Sequence, residues 1–181
     1  FAKVKEGNQP IDEEGNVVWD LTGRSLIVLL TTFSVLTAAA HAYYAQSDTY
    51  CRGVLRGFNR VRWLEYTVTA TIMMVIIALS SGVEDHDTIL SMILASVLTM
   101  PMGLVTETAI SKFPDRRFVA LAVAATLYGW ALMTYNFYHV VTAYEDATAD
   151  CDPCPPDFVT YIVYGMLTMY AIFGLIQVGH V

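Results

Sequence analysis

A glutamate stands at the mouth of a long apolar run. From Tyr66 to Leu79 the chain carries nothing more polar than threonine, yet Glu65 immediately precedes that run and Arg62 lies three residues before it. On a helix that begins near Arg60, Glu65 lies roughly 7 to 8 Å along the axis, at about 1.5 Å per residue. An ionised side chain in lipid costs about 2.5 kcal/mol or more, so such a group faces a protein interior and has a partner. Arg62, Glu65 and Thr69 recur at i, i+3 and i+7 and share one stripe of the helix. The chemistry open to this stripe is that of a counter-ion or proton acceptor. Glu65 carries the charge and Arg62 sets its field, while His41, from the preceding apolar segment, is a titratable neighbour that exchanges protons near neutral pH. The structural reading is an ion pair that closes one end of a bundle, with Arg62 reaching to the headgroups. Spacing leaves both open.

The other chemistry-bearing residues are weaker signals. Glu107 is followed by Lys112, Arg116 and Arg117 and reads as an ion-pair partner at a membrane interface. His139 and His180 fall near helix ends. No two histidines stand four apart on one helix and no Cys-His cluster exists, so neither a metal nor a haem site is expected, and no catalytic constellation marks an enzyme. Cys151 and Cys154 have redox spacing but sit in a Pro-rich acidic loop, where a local disulfide or two free thiols is the simpler expectation. The aromatic residues of the C-terminal half are packing and interface belt. Thr69, Trp130 and Tyr170 are the residues expected to line a chromophore or lipid pocket, should there be one.

These residues need a scaffold, and composition names it. The 181 residues are 55% hydrophobic and 15% charged, with a mean hydropathy of +0.48, which places the chain among membrane proteins. A formal charge of −7 without a basic stripe excludes nucleic acid as a partner. The expected fold is an all-α transmembrane bundle of five spans, near 25–46, 62–81, 88–111, 118–144 and 158–178. Each is long enough for about 30 Å of hydrocarbon. Residues 1–23, with Gly15-Asn16 as a turn signal, read as a loop or short hairpin outside the bilayer, and 24–181 as the bundle.

Charge orients the bundle. The connections at 47–62 and 111–117 hold Arg52, Arg56, Arg60, Arg62, Lys112, Arg116 and Arg117, whereas the loops between the second and third and the fourth and fifth spans hold no lysine or arginine. The basic loops are therefore expected on the cytoplasmic or matrix side. His41, Glu65 and Glu107 then fall in one layer near that face.

The run Asn59-Arg60-Val61-Arg62-Trp63-Leu64-Glu65-Tyr66-Thr67 resembles the third helix of the heliorhodopsins, whose pattern is Asn-x-x-Arg-Trp-x-Glu-Tyr-Ser. Ala39-Ala40-His41 is similar to the family's second helix, Met102 to Glu107 to the end of its fourth, and Tyr128-Gly129-Trp130-Ala131 to its fifth. The resemblance covers helices two to six of a seven-helix, rhodopsin-like architecture. It implies retinal as cofactor, Glu65 as the Schiff-base counter-ion, Arg62 as the arginine beside it and His41 as part of the proton-accepting region. The chain departs from the family at the retinal lysine, because Lys3, Lys5 and Lys112 all lie outside the expected spans, and at two asparagines, where Ser96, Met100 and Thr168 stand nearby. Two functions follow from the resemblance. One is a light-sensing retinal protein, if the lysine helix is present; the other is a retinal-free accessory or scaffold subunit of a larger membrane complex. The expected partners are the lipid bilayer and a second copy or other membrane subunits, met through small residues such as Ala38, Ala39 and Ala40.

Overall fold

The computed structural model describes residues 23–57, 59–83, 85–112, 115–149 and 157–179. The hairpin expected within residues 1–23 and the Cys151–Cys154 disulfide fall outside the described residues. The described chain forms six helices: α1 (Gly23–Gln46), α2 (Asp48–Leu55), α3 (Arg60–Ser80), α4 (His86–Lys112), α5 (Arg116–Ala149) and α6 (Asp157–Gly179). No strand occurs among the described residues. Leu26–Gln46, Arg60–Ser80, His86–Ser111 and Arg117–Ala149 are long and apolar enough to cross a membrane, and Phe158–Ile172 is a shorter apolar stretch. The fold is the expected all-helical membrane bundle.

Local chemistry sets the helix ends. Asn59 caps α3 by accepting from the Val61 and Arg62 amides at 3.1 and 3.4 Å, two donors that the helix itself leaves unpaired. At its other end Val83 N–H donates to Ala78 O at 3.0 Å and Gly82 N–H to Leu79 O at 3.3 Å, the paired bonds of a Schellman turn. That turn needs a residue at positive φ, and Gly82 supplies it at 91°.

Asp85 does the same service for α4, accepting from the Thr88 amide at 2.6 Å. Hydrogen bonds from Thr88 hold its carboxyl below the ordinary carboxylate range. A depressed folded-state value means that the bond stabilises α4 above the unfolded value and is lost as pH falls through the folded one. Acidification is therefore expected to fray the first turn of α4 before the bundle opens. Hydrogen exchange at the amides of residues 86–89 reads this directly, and exchange there that does not change down to strongly acid pH would rule it out.

Two connections differ from expectation. The segment 47–61 was expected as a polar connection, but it contains α2, started by Ser47, whose hydroxyl accepts from the Tyr50 amide at 3.2 Å. The acidic loop expected from Glu145 begins later, since α5 continues to Ala149. Glu145, Ala147 and Ala149 are good helix formers and no proline intervenes until Pro153, so acidity alone does not end the helix.

The helices assemble through small and polar residues. Ala95, Ser96, Gly103, Thr106 and Ala109 of α4 are buried along with Ala122, Ala125, Thr126 and Gly129 of α5, which lets the two backbones approach closely. Thr106 Oγ1 lies 3.3 Å from Ala122 O and 3.1 Å from Thr126 Oγ1. Asn136 Nδ2 donates to Ser96 Oγ at 2.9 Å and to Met92 O at 3.3 Å. Where no water competes, bonds of this kind hold helices together. A cluster that includes Met74, Ile77, Phe137, Val140 and Val163 ties α3, α5 and α6 into the same core.

Candidate functional site

The stripe read from α3 meets two different neighbours. Glu65 points toward α1, where Tyr44 Oη donates to Glu65 Oε2 at 3.2 Å. Thr69, one turn on and buried, donates to Glu65 Oε1 at 3.2 Å and to Glu65 O at 3.0 Å. Arg62 points toward α4: its Nη2 donates to Glu107 Oε1 at 3.2 Å, and that contact is the ion pair. Trp63 Nε1 donates to the other oxygen, Glu107 Oε2. The expected pairing of Arg62 with Glu65 is thus replaced by Arg62–Glu107. Residues 62 and 65 are about 60° apart around a helix, enough to send their side chains into separate interhelical grooves.

Glycine makes the second groove. Trp63 lies against α4 at Gly103, where any Cβ would run into the outer ring of the indole. The Arg62 guanidinium also lies over the Trp63 ring, 5.6 Å from its centroid, within cation–π reach. Glu107, read from sequence as an interface group beside the cations that follow it, is instead held inside the bundle by two donors from α3. Its side chain is only 16% exposed, against 37% for Arg62.

His41 is exposed, and its Nδ1 lies 2.8 Å from Thr37 O. A carbonyl oxygen only accepts, so Nδ1 carries the proton of that bond. The ring lies 5.8 Å from that of Tyr44, which itself bonds Glu65. His41 is therefore in the neighbourhood of the carboxylate with a tyrosine between them. Tyr44 escaped sequence reading, although it stands three residues after His41 on the same helix. Tyr50 also escaped; its ring stacks on Tyr44 with centroids 4.1 Å apart and planes at 18°.

The expected pocket residues separate into two places. Trp130 and Tyr170 come together between α5 and α6: Tyr170 Oη donates to Trp130 O at 2.9 Å, and the rings are 6.3 Å apart. Thr69 lines a different hollow of about 270 Å³ between α1 and α3, with Leu36, Tyr44, Leu64 and Glu65 among its other walls. It is mostly apolar, and Glu65 is the carboxylate in its wall.

A family model described as Heliorhodopsin matches residues 1–179. The chain belongs to the heliorhodopsin family. No curated protein and no solved structure matches it. Heliorhodopsins are not in general a class of enzymes, and they bind retinal through a lysine amine. The described residues do not fit that attachment: the chain's lysines are Lys3, Lys5 and Lys112, and Lys112 is the last residue of α4 rather than an interior one. No reaction step is therefore assigned to retinal on these residues. What this heliorhodopsin does present is a carboxylate whose hydrogen bonds come from hydroxyls, one groove away from a carboxylate already neutralised by arginine.

Proposed function

We propose that this chain forms the counter-ion side of a light-sensing heliorhodopsin whose retinal lysine comes from sequence outside these 181 residues. The observation that carries the reading is the difference between the two carboxylates. Glu107 has its cation in Arg62; Glu65 has Tyr44 and Thr69, both neutral. A carboxylate inside a bundle is stabilised by a cation brought to it, and the apolar hollow beside Glu65 gives such a cation a place to arrive. Tyr44 and Thr69 orient the carboxyl, and the Arg62–Glu107 pair keeps the neighbouring charge at zero. His41 would act through Tyr44.

The basic connections face the cytoplasm or matrix in this reading. Ser111 Oγ, near the end of α4, donates to Gly57 O at 2.6 Å, which supports both basic connections sharing one side. A second reading, a retinal-free accessory subunit packed against other membrane subunits, is favoured by the absence of an interior lysine from every described span. The two part on one measurement. The protein purified from its native membrane is expected to show a visible absorption band that hydroxylamine bleaches, since hydroxylamine takes retinal from its imine. A colourless protein that purifies with other membrane subunits sinks the light-sensing reading and leaves the accessory one.

A further inference from the structure

Helix α2 is too short to span a membrane, at about 12 Å for its eight residues. It is also two-sided. Tyr50, Cys51, Val54 and Leu55 recur at i, i+1, i+4 and i+5 and share one side, whereas Asp48, Thr49 and Arg52 occupy the other. Tyr50 uses the apolar side to stack on Tyr44. The same side then continues into Val54, 51% exposed, and Leu55, 86% exposed among the described residues. Arg52, whose Nε donates to Asp48 O at 3.2 Å, and Arg56 are exposed beside it, and Asp48 is the acidic residue of the helix. Both flanking spans end here, which puts an apolar edge and the guanidinium groups of Arg52 and Arg56 at the depth where acyl chains give way to headgroups.

We propose that α2 is an interfacial helix that seats Leu55 and Val54 in the bilayer and binds anionic phospholipid headgroups through Arg52 and Arg56. Charge complementarity selects the occupant. An apolar protein partner would leave Arg52 and Arg56 facing an uncharged surface, whereas an anionic leaflet satisfies both halves of the helix at once. The seating reaches the buried carboxylate, because Tyr50 stacks on the tyrosine whose hydroxyl bonds Glu65. The lipid surface thereby sets where Tyr44 stands. The proposal does not depend on retinal.

Hydrogen exchange of the intact protein in nanodiscs tests it. With each basic residue near an anionic surface worth about a fivefold shift in occupancy, amides of residues 48–55 are expected to exchange at least about fivefold more slowly in phosphatidylglycerol-containing discs than in pure phosphatidylcholine. Arg52→Gln/Arg56→Gln, two exposed changes that leave the core untouched, should abolish the difference while exchange in α4 and α5 stays as it was. Leu55→Glu should abolish it too. Equal exchange in both lipids overturns the proposal, as does a difference that survives the double substitution. So does protection reproduced by inorganic phosphate in phosphatidylcholine discs, which would mark an anion site rather than a lipid surface.

Discussion

Gly103→Val is expected to destabilise the bundle by about 3 kcal/mol, near the upper end for overpacked cores. Elsewhere in a helix, replacing glycine gains up to about 1 kcal/mol of propensity, so the sign at this position is a contest between backbone and packing. Packing wins here because a Cβ at 103 meets the aromatic carbons of Trp63, a flat ring with few rotamers, rather than the flexible tip of a side chain. Displacing the indole also removes its bond to Glu107 and disturbs the Arg62–Glu107 pair. Thermal unfolding of the purified protein, followed by tryptophan fluorescence, measures the loss. Trp63→Leu in the same molecule should recover part of it by opening the space. A Gly103→Val protein as stable as the parent, or one that Trp63→Leu only worsens, would show that the two residues do not compete for space.

Glu107→Ala should be the costliest change to any carboxylate of the spans, at about 2 kcal/mol. It strands a guanidinium and an indole N–H together. Breaking a fully buried ion pair costs about 3 to 5 kcal/mol, but Arg62 is 37% exposed and can turn toward headgroups and water, which lowers the figure. Glu65→Gln should cost less than about 1 kcal/mol, because the amide oxygen keeps the Tyr44 bond while Thr69 donates to Glu65 O and its hydroxyl oxygen can accept from the new amide N–H. A double-mutant cycle separates pairing from packing: Arg62→Gln with Glu107→Gln should show a coupling of about 1 kcal/mol, and Arg62→Gln with Glu65→Gln close to none. The reverse ordering of the two couplings would restore the pairing that spacing along α3 suggests.

The contrast between those two glutamates shows how far residue order reaches. Arg62, Glu65 and Thr69 announce themselves because charge inside an apolar run is expensive, and the bond between Thr69 and Glu65 is a local one within a single helix turn. The acceptor for Arg62 stands 45 residues away on another helix, and no periodicity in α3 points to it. Gly103 offered a signal that was legible in principle, a lone glycine within a helical apolar run, which marks close approach of something large. What approaches is decided only by the rotation of α3 against α4. Trp130 and Tyr170, grouped in sequence with Thr69 as aromatic and polar neighbours of one pocket, belong to the α5–α6 contact instead. A side chain's type says that it is suited to line a cavity but not which cavity.

By itself the amino-acid order determined the class of molecule, the approximate limits of its long apolar helices and the family to which it belongs. Hydrophobic length and local charge are properties of a segment, and a helix in lipid satisfies its own backbone whatever surrounds it. Tertiary structure alone decided that Glu107, and not Glu65, takes the arginine, that Tyr44 and Tyr50 form the path from α2 to the second carboxylate, and that Gly103 is the seat of Trp63. Those facts depend on the angle at which each helix faces its neighbours. Side chains tens of residues apart set that angle jointly when they pack, and none of them specifies it alone.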